Sequence, residues 1–392
     1  MIEEYNMLRS FEHLINDNPS SKEAWKMLIE IGLPHKKSEA YKFTPIAPIL
    51  EKNINWSLEP KNTFDEKQLY SVKGSHFVFV NGILNENLSR TQPDVSFIIE
   101  EVREGRHDPF SLLNTSLASN ELVITSGTAS PIFIYHFNST GISSPRIRIK
   151  IKSGESIQLV EKLLETNKNT FTNSFIHFEV AENAFACHTK VQNYGNSNYS
   201  HETVVADVEN NGHFYNNTFS FESALTRNNL IINLNGQNCE GHMYGLFLLD
   251  KKSHIDNNTT VDHLQPNSFS NELYKGILGE KSTGVFNGKI YVRQDAQKTN
   301  AFQSNNNILL SKDATLHTKP QLEIWADDVK CSHGCTSGQL DEYAIFYLRT
   351  RGIDRNTAEA MLLHAFAKET LEQVRLETVK DEVLGLIDQK LL

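Results

Sequence analysis

The spacing of apolar residues changes twice along the chain, and the two changes divide it. Up to about residue 50 the apolar positions recur at helical intervals, with Met7, Leu8, Phe11, Leu14 and Ile15 in one stretch and Ala24, Trp25, Met27 and Leu28 in a second. Residues so spaced share one face of an α-helix, so two helices are predicted, the second capped by Ser21 and ended by Gly32-Leu33-Pro34. Residues 51–130 form a mixed α/β segment. Its clearest element is an apolar strand, Phe77–Val80, closed by the turn pair Asn81-Gly82.

From 131 to 325 the period is two. Ile147, Ile149 and Ile151 alternate with Arg146, Arg148, Lys150 and Lys152, and Ile176, Phe178 and Val180 repeat the pattern. Further strands fit Thr203–Val208, Phe214–Phe221, Asn229–Asn235, Met243–Leu249, Val285–Val292 and Asn307–Leu310. The breaks are rich in Asn, Gly and Asp, as in Asn210-Asn211-Gly212 and Asn235-Gly236-Gln237-Asn238. Short strands at this spacing, without intervening helices, indicate a sandwich, a barrel or a β-helix. No tight repeat singles one out.

Residues 326–392 return to helix. One helix is predicted over Leu340–Arg349, stopped by Gly352, and a second is capped by Asp354 or Asn356 with Ala358, Met361, Leu362, Ala365 and Phe366 on one face. A third covers Val379–Leu391.

Composition narrows the function classes. The net charge of −10 over 392 residues disfavours nucleic-acid binding, which calls for a basic face. The acidic start Met1-Ile2-Glu3-Glu4 lacks the basic-then-apolar order of a secretory signal, and no apolar run is long enough to span a membrane. Four cysteines in so long a chain do not make a disulfide scaffold, so a cytoplasmic protein is expected.

Two of those cysteines stand close together, in Lys330-Cys331-Ser332-His333-Gly334-Cys335. In an extended segment Cys331, His333 and Cys335 project to the same side, and thiolate and imidazole suit a thiophilic metal or an iron–sulfur cluster. Three ligands fall one short of a closed site, so the remainder would come from water, a distant segment or another subunit. The competing reading is ordinary: a lone cysteine is most often a small buried hydrophobe. Cys187, His188 and Cys239 fit that reading. His254, Asp256, Asp262 and His263 are read as polar residues on the outer face or corners of the β-coils.

Motifs for other chemistries fail. Gly279-Glu280-Lys281-Ser282-Thr283 has Glu280 where a phosphate loop needs glycine, and His201-Glu202 has Val205 where a zinc-protease motif needs its second histidine. A nucleophile elbow is absent from the sequence.

The run Lys319–Gly334, with Gly338-Gln339-Leu340-Asp341 and Phe346–Ile353, resembles the SufB/SufD family of iron–sulfur cluster assembly proteins. His263–Pro266, Ser270–Gly276, Phe286–Lys289, Ala296–Ala301 and Glu39–Thr44 are similar to other signatures of that family, and the Lys-Cys-Ser-His-Gly order is closer to its SufD branch. The resemblance implies a mainly β protein, a right-handed parallel β-helix flanked by helical N- and C-terminal regions. It implies a non-catalytic scaffold subunit in complex with a SufB-like paralogue and a SufC-like ABC ATPase, the latter docked on the C-terminal helices. Cys331 and His333 would then serve a transient cluster or iron at the interface with SufB, while Cys335 departs from the family pattern. The resemblance leaves open flavin binding by the complex and homodimer formation by the isolated chain. The rival readings are a SufB-like subunit accepting persulfide sulfur on Cys331 or Cys335 and, more remotely, a β-helical carbohydrate-active protein.

Overall fold

The computed structural model describes residues 8–34, 38–54, 66–103, 108–126, 130–139, 141–164 and 168–391. Met7 of the first expected helix lies outside them. The strands form two long sheets, and from Arg146 onward consecutive strands alternate between the two. Seven two-strand coils result, from Arg146–Ile151 with Ser156–Leu163 to Thr315–Ile324 with Lys330–Gly338. Coil-to-coil pairing is parallel throughout and in register apart from a shift at Gln192/Asn193, so Ile147, Ile176, Val204 and Leu230 stack in one column. This is a parallel β-helix, with the alternating residues of each strand lining its interior. The β-core continues past Trp325, and its final strand, Lys330–Gly338, carries the cysteine pair.

The coil corners explain the asparagine-rich breaks. Asn183, Asn211, Asn238 and Asn267 occupy successive corners in the left-handed region, at φ of 57°, 54°, 55° and 64°. Asparagine tolerates that region better than other residues with a Cβ. Its amide also links the coils, Asn211 Nδ2 donating to Asn183 Oδ1 and Asn238 Nδ2 to Asn211 Oδ1, each at 3.1 Å. The corner after Asn267 falls to Lys298, at φ 59°.

Strand-period alternation predicts polar residues facing out, and at Arg146 they face out but not to water. The helix Pro109–Leu117 lies over that face, capped by Asp108, which accepts from the Phe110 and Ser111 amides. Arg146 bonds Glu121 at 3.0 Å and the Asn114 side chain at 3.1 Å, fully buried. The helix Pro19–Ile31 is capped by Asn18 rather than by the expected Ser21; Ser21 is buried, donating to the Thr115 carbonyl at 2.9 Å. Of the first expected helix, Leu8 and Arg9 are α-helical, and after a turn at Ser10 and Phe11 the chain continues in the 3₁₀ turn Glu12–Leu14.

Residues Glu39–Thr44 form a strap across the outer face of the second sheet. Tyr41 bonds His201 at 3.0 Å, with the Arg227 guanidinium 4.1 Å from its ring centroid, and Thr44 bonds His254 at 3.1 Å. At the far end Phe43 stacks on His317 at 4.0 Å between centroids and Glu39 pairs with Lys319 of the last coil.

The C-terminal helices fold back on the other sheet. Helices Arg355–Lys368 and Glu377–Leu391 place Leu363, Ala367, Val379, Val383 and Ile387 against Val160, Val191, Phe219, Leu246 and Ile277. Asp354, not Asn356, is the cap, accepting from the Thr357 amide. The buried stripe also differs from the expected one: Ala358 is buried, but Met361 and Ala365 are exposed and Leu363 and Ala367 take their place. The sheet selects the stripe by geometry, and alanine and leucine occur on both sides of this helix, so spacing alone does not decide. The helix Glu342–Thr350 buries only Ile345, leaving Tyr343, Phe346 and Tyr347 at 87%, 65% and 58% exposure.

The corner ladder yields a stability test. Asn211→Ala should lower the unfolding free energy by about 1–2 kcal/mol, the cost of a left-handed non-glycine residue, and Asn211→Gly should lower it less. Urea denaturation of the three proteins measures both.

Candidate functional site

The interior columns end at the last coil, and the predicted ligands occupy their ends. Cys331 lies in register with Ala301, His333 with Gln303 and Cys335 with Asn305. Ala301, Gln303 and Asn305 are all buried, so the three residues above them share the interior-facing side of the strand. Cys331, His333 and Cys335 therefore share one face, as extended geometry requires. On the coil end that face is open: Lys330–Gly338 and Thr315–Ile324 each pair with one neighbour among the described strands.

Cys331 is half-buried against Ile290, Val292, Ala301 and Ala326, and burial raises its thiol pKa above the ordinary value. Cys335 is exposed and reaches across the coil mouth to Thr318 Oγ1, at 3.2 Å from its Sγ. His333 is exposed. Alternate residues on a parallel strand are about 6.6 Å apart, which spreads the two cysteines over about 13 Å. One metal ion cannot span that distance with bonds near 2.3 Å. Accordingly, among the described residues no three His, Cys, Asp or Glu side chains converge on a metal position. The strand presents donors on one side of a site that it does not close.

The remaining chemistry-bearing residues separate. Cys187 and Cys239 are buried, and burial pushes the Cys187 thiol up to about 11. His188 is enclosed with Glu161, at 3.1 Å. His254 and Asp256 lie on the outer face beneath the strap, Asp256 pairing with Arg227 at 2.6 Å, and Asp262 pairs with Arg293 at 2.6 Å. His263 is not at the outer face: it is buried, bonds Ser270 at 2.9 Å, and burial pushes its pKa down to about 3. Gly279–Thr283 is the corner between two strands, with Glu280 at φ 47°.

Sequence spacing did not reveal the column beneath His333. It runs through Leu159, His188, Asn216, Met243, Glu272 and Gln303. Glu272 is fully enclosed and burial holds its carboxyl up at about 7, with the hydrogen bond from Gln303 opposing the rise. The available signal was Glu272 at an inward position of an alternating strand, legible only once the register was known.

The comparisons with known proteins agree with this architecture. The profile described as SUF system FeS cluster assembly, SufBD core domain matches residues 134–366. The chain is 30% identical to the iron–sulfur cluster assembly protein SufD of Escherichia coli (strain K12), over 98% of this chain and 97% of that one. It is 28% identical to an iron–sulfur cluster assembly SufBD family protein of a Synechocystis species, over 90% of this chain and 86% of that protein. A fold of stacked coils ending in an open, thiol-bearing strand thus coincides with a protein class devoted to iron–sulfur assembly. The chain belongs to the SufBD family of the SUF system, and within it is a SufD-like assembly subunit. Among the described residues no helix is long and apolar enough to cross a membrane.

Two measurements follow from the site. In the native chain, brief alkylation should modify Cys335 fastest, Cys331 slowly, and Cys187 and Cys239 only after unfolding; peptide mass mapping reads the order. Glu272 tests the buried column. Its folded pKa lies above the ordinary 4.5, so the folded state holds the proton more tightly. The unfolded chain releases it first as pH rises, and the site's contribution to stability falls between pH 4.5 and about 7. The stability of Glu272→Gln relative to the parent should therefore increase from pH 5 to pH 7.5 in urea titrations.

Proposed function

We propose that this chain is a non-catalytic scaffold subunit that supplies part of the ligand set for a nascent iron–sulfur cluster, and that a SufB-like paralogue seated on the last coil completes it. The observation that supports the reading most directly is the placement of Cys331, His333 and Cys335 along one face of an edge strand, too widely spaced to bind an ion by themselves. Two open strand edges with Trp325, Ile324 and Phe302 exposed beside them call for a covering partner. The cluster is the cargo of such a site. Cys331 as thiolate and His333 as neutral imidazole would hold it transiently, in competition with protons.

The C-terminal helices supply the other surface. The exposed aromatics of Glu342–Thr350, together with the groove of about 430 Å³ lined by Ala360, Met361, His364, Ala365 and Leu391, suit the docking of a SufC-like ABC ATPase. Lys162–Glu382 at 2.6 Å and Lys390–Asp250 at 2.8 Å tie the last helix to the coils. Force applied at that helix by nucleotide-driven closure would thus reach the β-helix. Such coupling requires only that nucleotide favour one of two packed arrangements. The cytoplasm, with its reduced thiols, is the compartment that suits this chemistry.

Anaerobic affinity purification of the tagged chain should recover the ATPase and the paralogue. His333→Ala should retain both partners and lower cluster assembly by more than the ~10–100-fold cost of losing an outer-shell contact; normal assembly would remove His333 from the ligand set. Tyr343→Ser with Phe346→Ser should lose the ATPase while changing stability by no more than about 0.5 kcal/mol per site, as exposed positions do.

A further inference from the structure

We propose that Gln303 is a positioning residue for His333: its buried side-chain carbonyl accepts the imidazole N–H and turns the other ring nitrogen toward the open end of the coil. The inference rests on the ligand role proposed above for His333 and extends it one coil inward. Gln303 is the register partner of His333 on the adjoining parallel strand, and Glu272 is the register partner of Gln303 one coil further in. Adjacent strands lie about 4.8 Å apart, so side chains on the same face of consecutive coils stack within hydrogen-bonding reach.

The Gln303 side chain is built in rather than merely enclosed. It is 1% exposed, and its Nε2 donates to Glu272 Oε2 at 2.6 Å. On the opposite sheet Gly288 leaves the space that the amide occupies, since a Cβ there would collide with Gln303 Nε2. With its N–H committed to Glu272, the amide's carbonyl end is what remains, and Oε1 is buried with no hydrogen-bond partner. An unsatisfied buried acceptor is destabilising until a donor reaches it. The coil directly above offers a donor in the His333 ring. A metal-binding histidine commonly passes its second N–H to a fixed acceptor, which sets tautomer and ring orientation. Gln303 is such an acceptor, and Glu272 holds it in place from behind.

The test reads the tautomer of His333 in the metal-free full chain. Long-range ¹⁵N–¹H spectra of the chain labelled at histidine nitrogens, recorded at pH 8, show the ring of each histidine, and His333→Asn identifies the His333 signals. One dominant tautomer is expected in the parent. Gln303→Met should convert it to the mixture of a free imidazole. Because Gln303→Met leaves the Glu272 carboxyl buried without its amide, the paired variant Gln303→Met with Glu272→Met is measured as well, and its apolar column should fold normally and show the same mixture. A mixture in the parent, or an unchanged single tautomer in the paired variant, overturns the proposal. The readout needs no cluster, so it separates from the assembly test: normal assembly by His333→Ala overturns the ligand role, whereas an unaltered tautomer in the paired variant overturns the positioning role alone. With both roles in force, the paired variant should lower cluster assembly about 10–100-fold, the range for loss of an outer-shell partner.

Discussion

In-register stacking of parallel strands is the constraint from which the rest of this molecule follows. Each coil receives its backbone partners from the one before and supplies them to the next. The position of every interior side chain is therefore dictated by the register partner beneath it. The column from Leu159 through His188, Asn216, Met243, Glu272 and Gln303 to His333 shows the effect. Its inner members lack water, so they are apolar or hydrogen-bonded to other side chains of the interior. Only its last member is free to face outward. The same rule selects asparagine at the corner shared by Asn183, Asn211, Asn238 and Asn267, where the backbone enters the left-handed region.

A stack of this kind has to end, and the chain treats its two sides differently. The helix Pro109–Leu117 and the Glu39–Thr44 strap cover one flank, and the C-terminal helices cover the other. The last coil keeps its edges open, and the thiol and imidazole donors are placed there. A scaffold of the kind proposed above would gain from that arrangement: donors at an edge could be shared with a partner and surrendered with the cargo, whereas four donors closing on one chain would retain it.

The sequence displayed the apolar half of this design. Alternation at Ile147–Ile151 and Ile176–Val180 revealed strands directly, and the family signatures supplied the β-helix that periodicity alone could not choose. Strands whose interior is polar were hidden. Asn300–Leu309 carries Gln303, Asn305 and Asn307 inward, which reads as loop in any hydropathy pattern. The boundary at 325 fell short for the same reason, since Lys330–Gly338 has no apolar alternation to mark it. The shared face of Cys331, His333 and Cys335 was legible from two-residue spacing alone. Glu272 and Gln303 were not, because their significance depends on contacts across some thirty residues that only the register reveals.

The strap has a consequence for the order of events during synthesis. Glu39 and its partner Lys319 are separated by 280 residues, so the first of them leaves the ribosome long before the second exists. The coils can stack as they emerge, but the N-terminal segment cannot lock onto the final coil until that coil has been made. The open end of the β-helix is thus the last part of the coil stack to be finished, and a chain stalled before it would lack both the lock and the final strand.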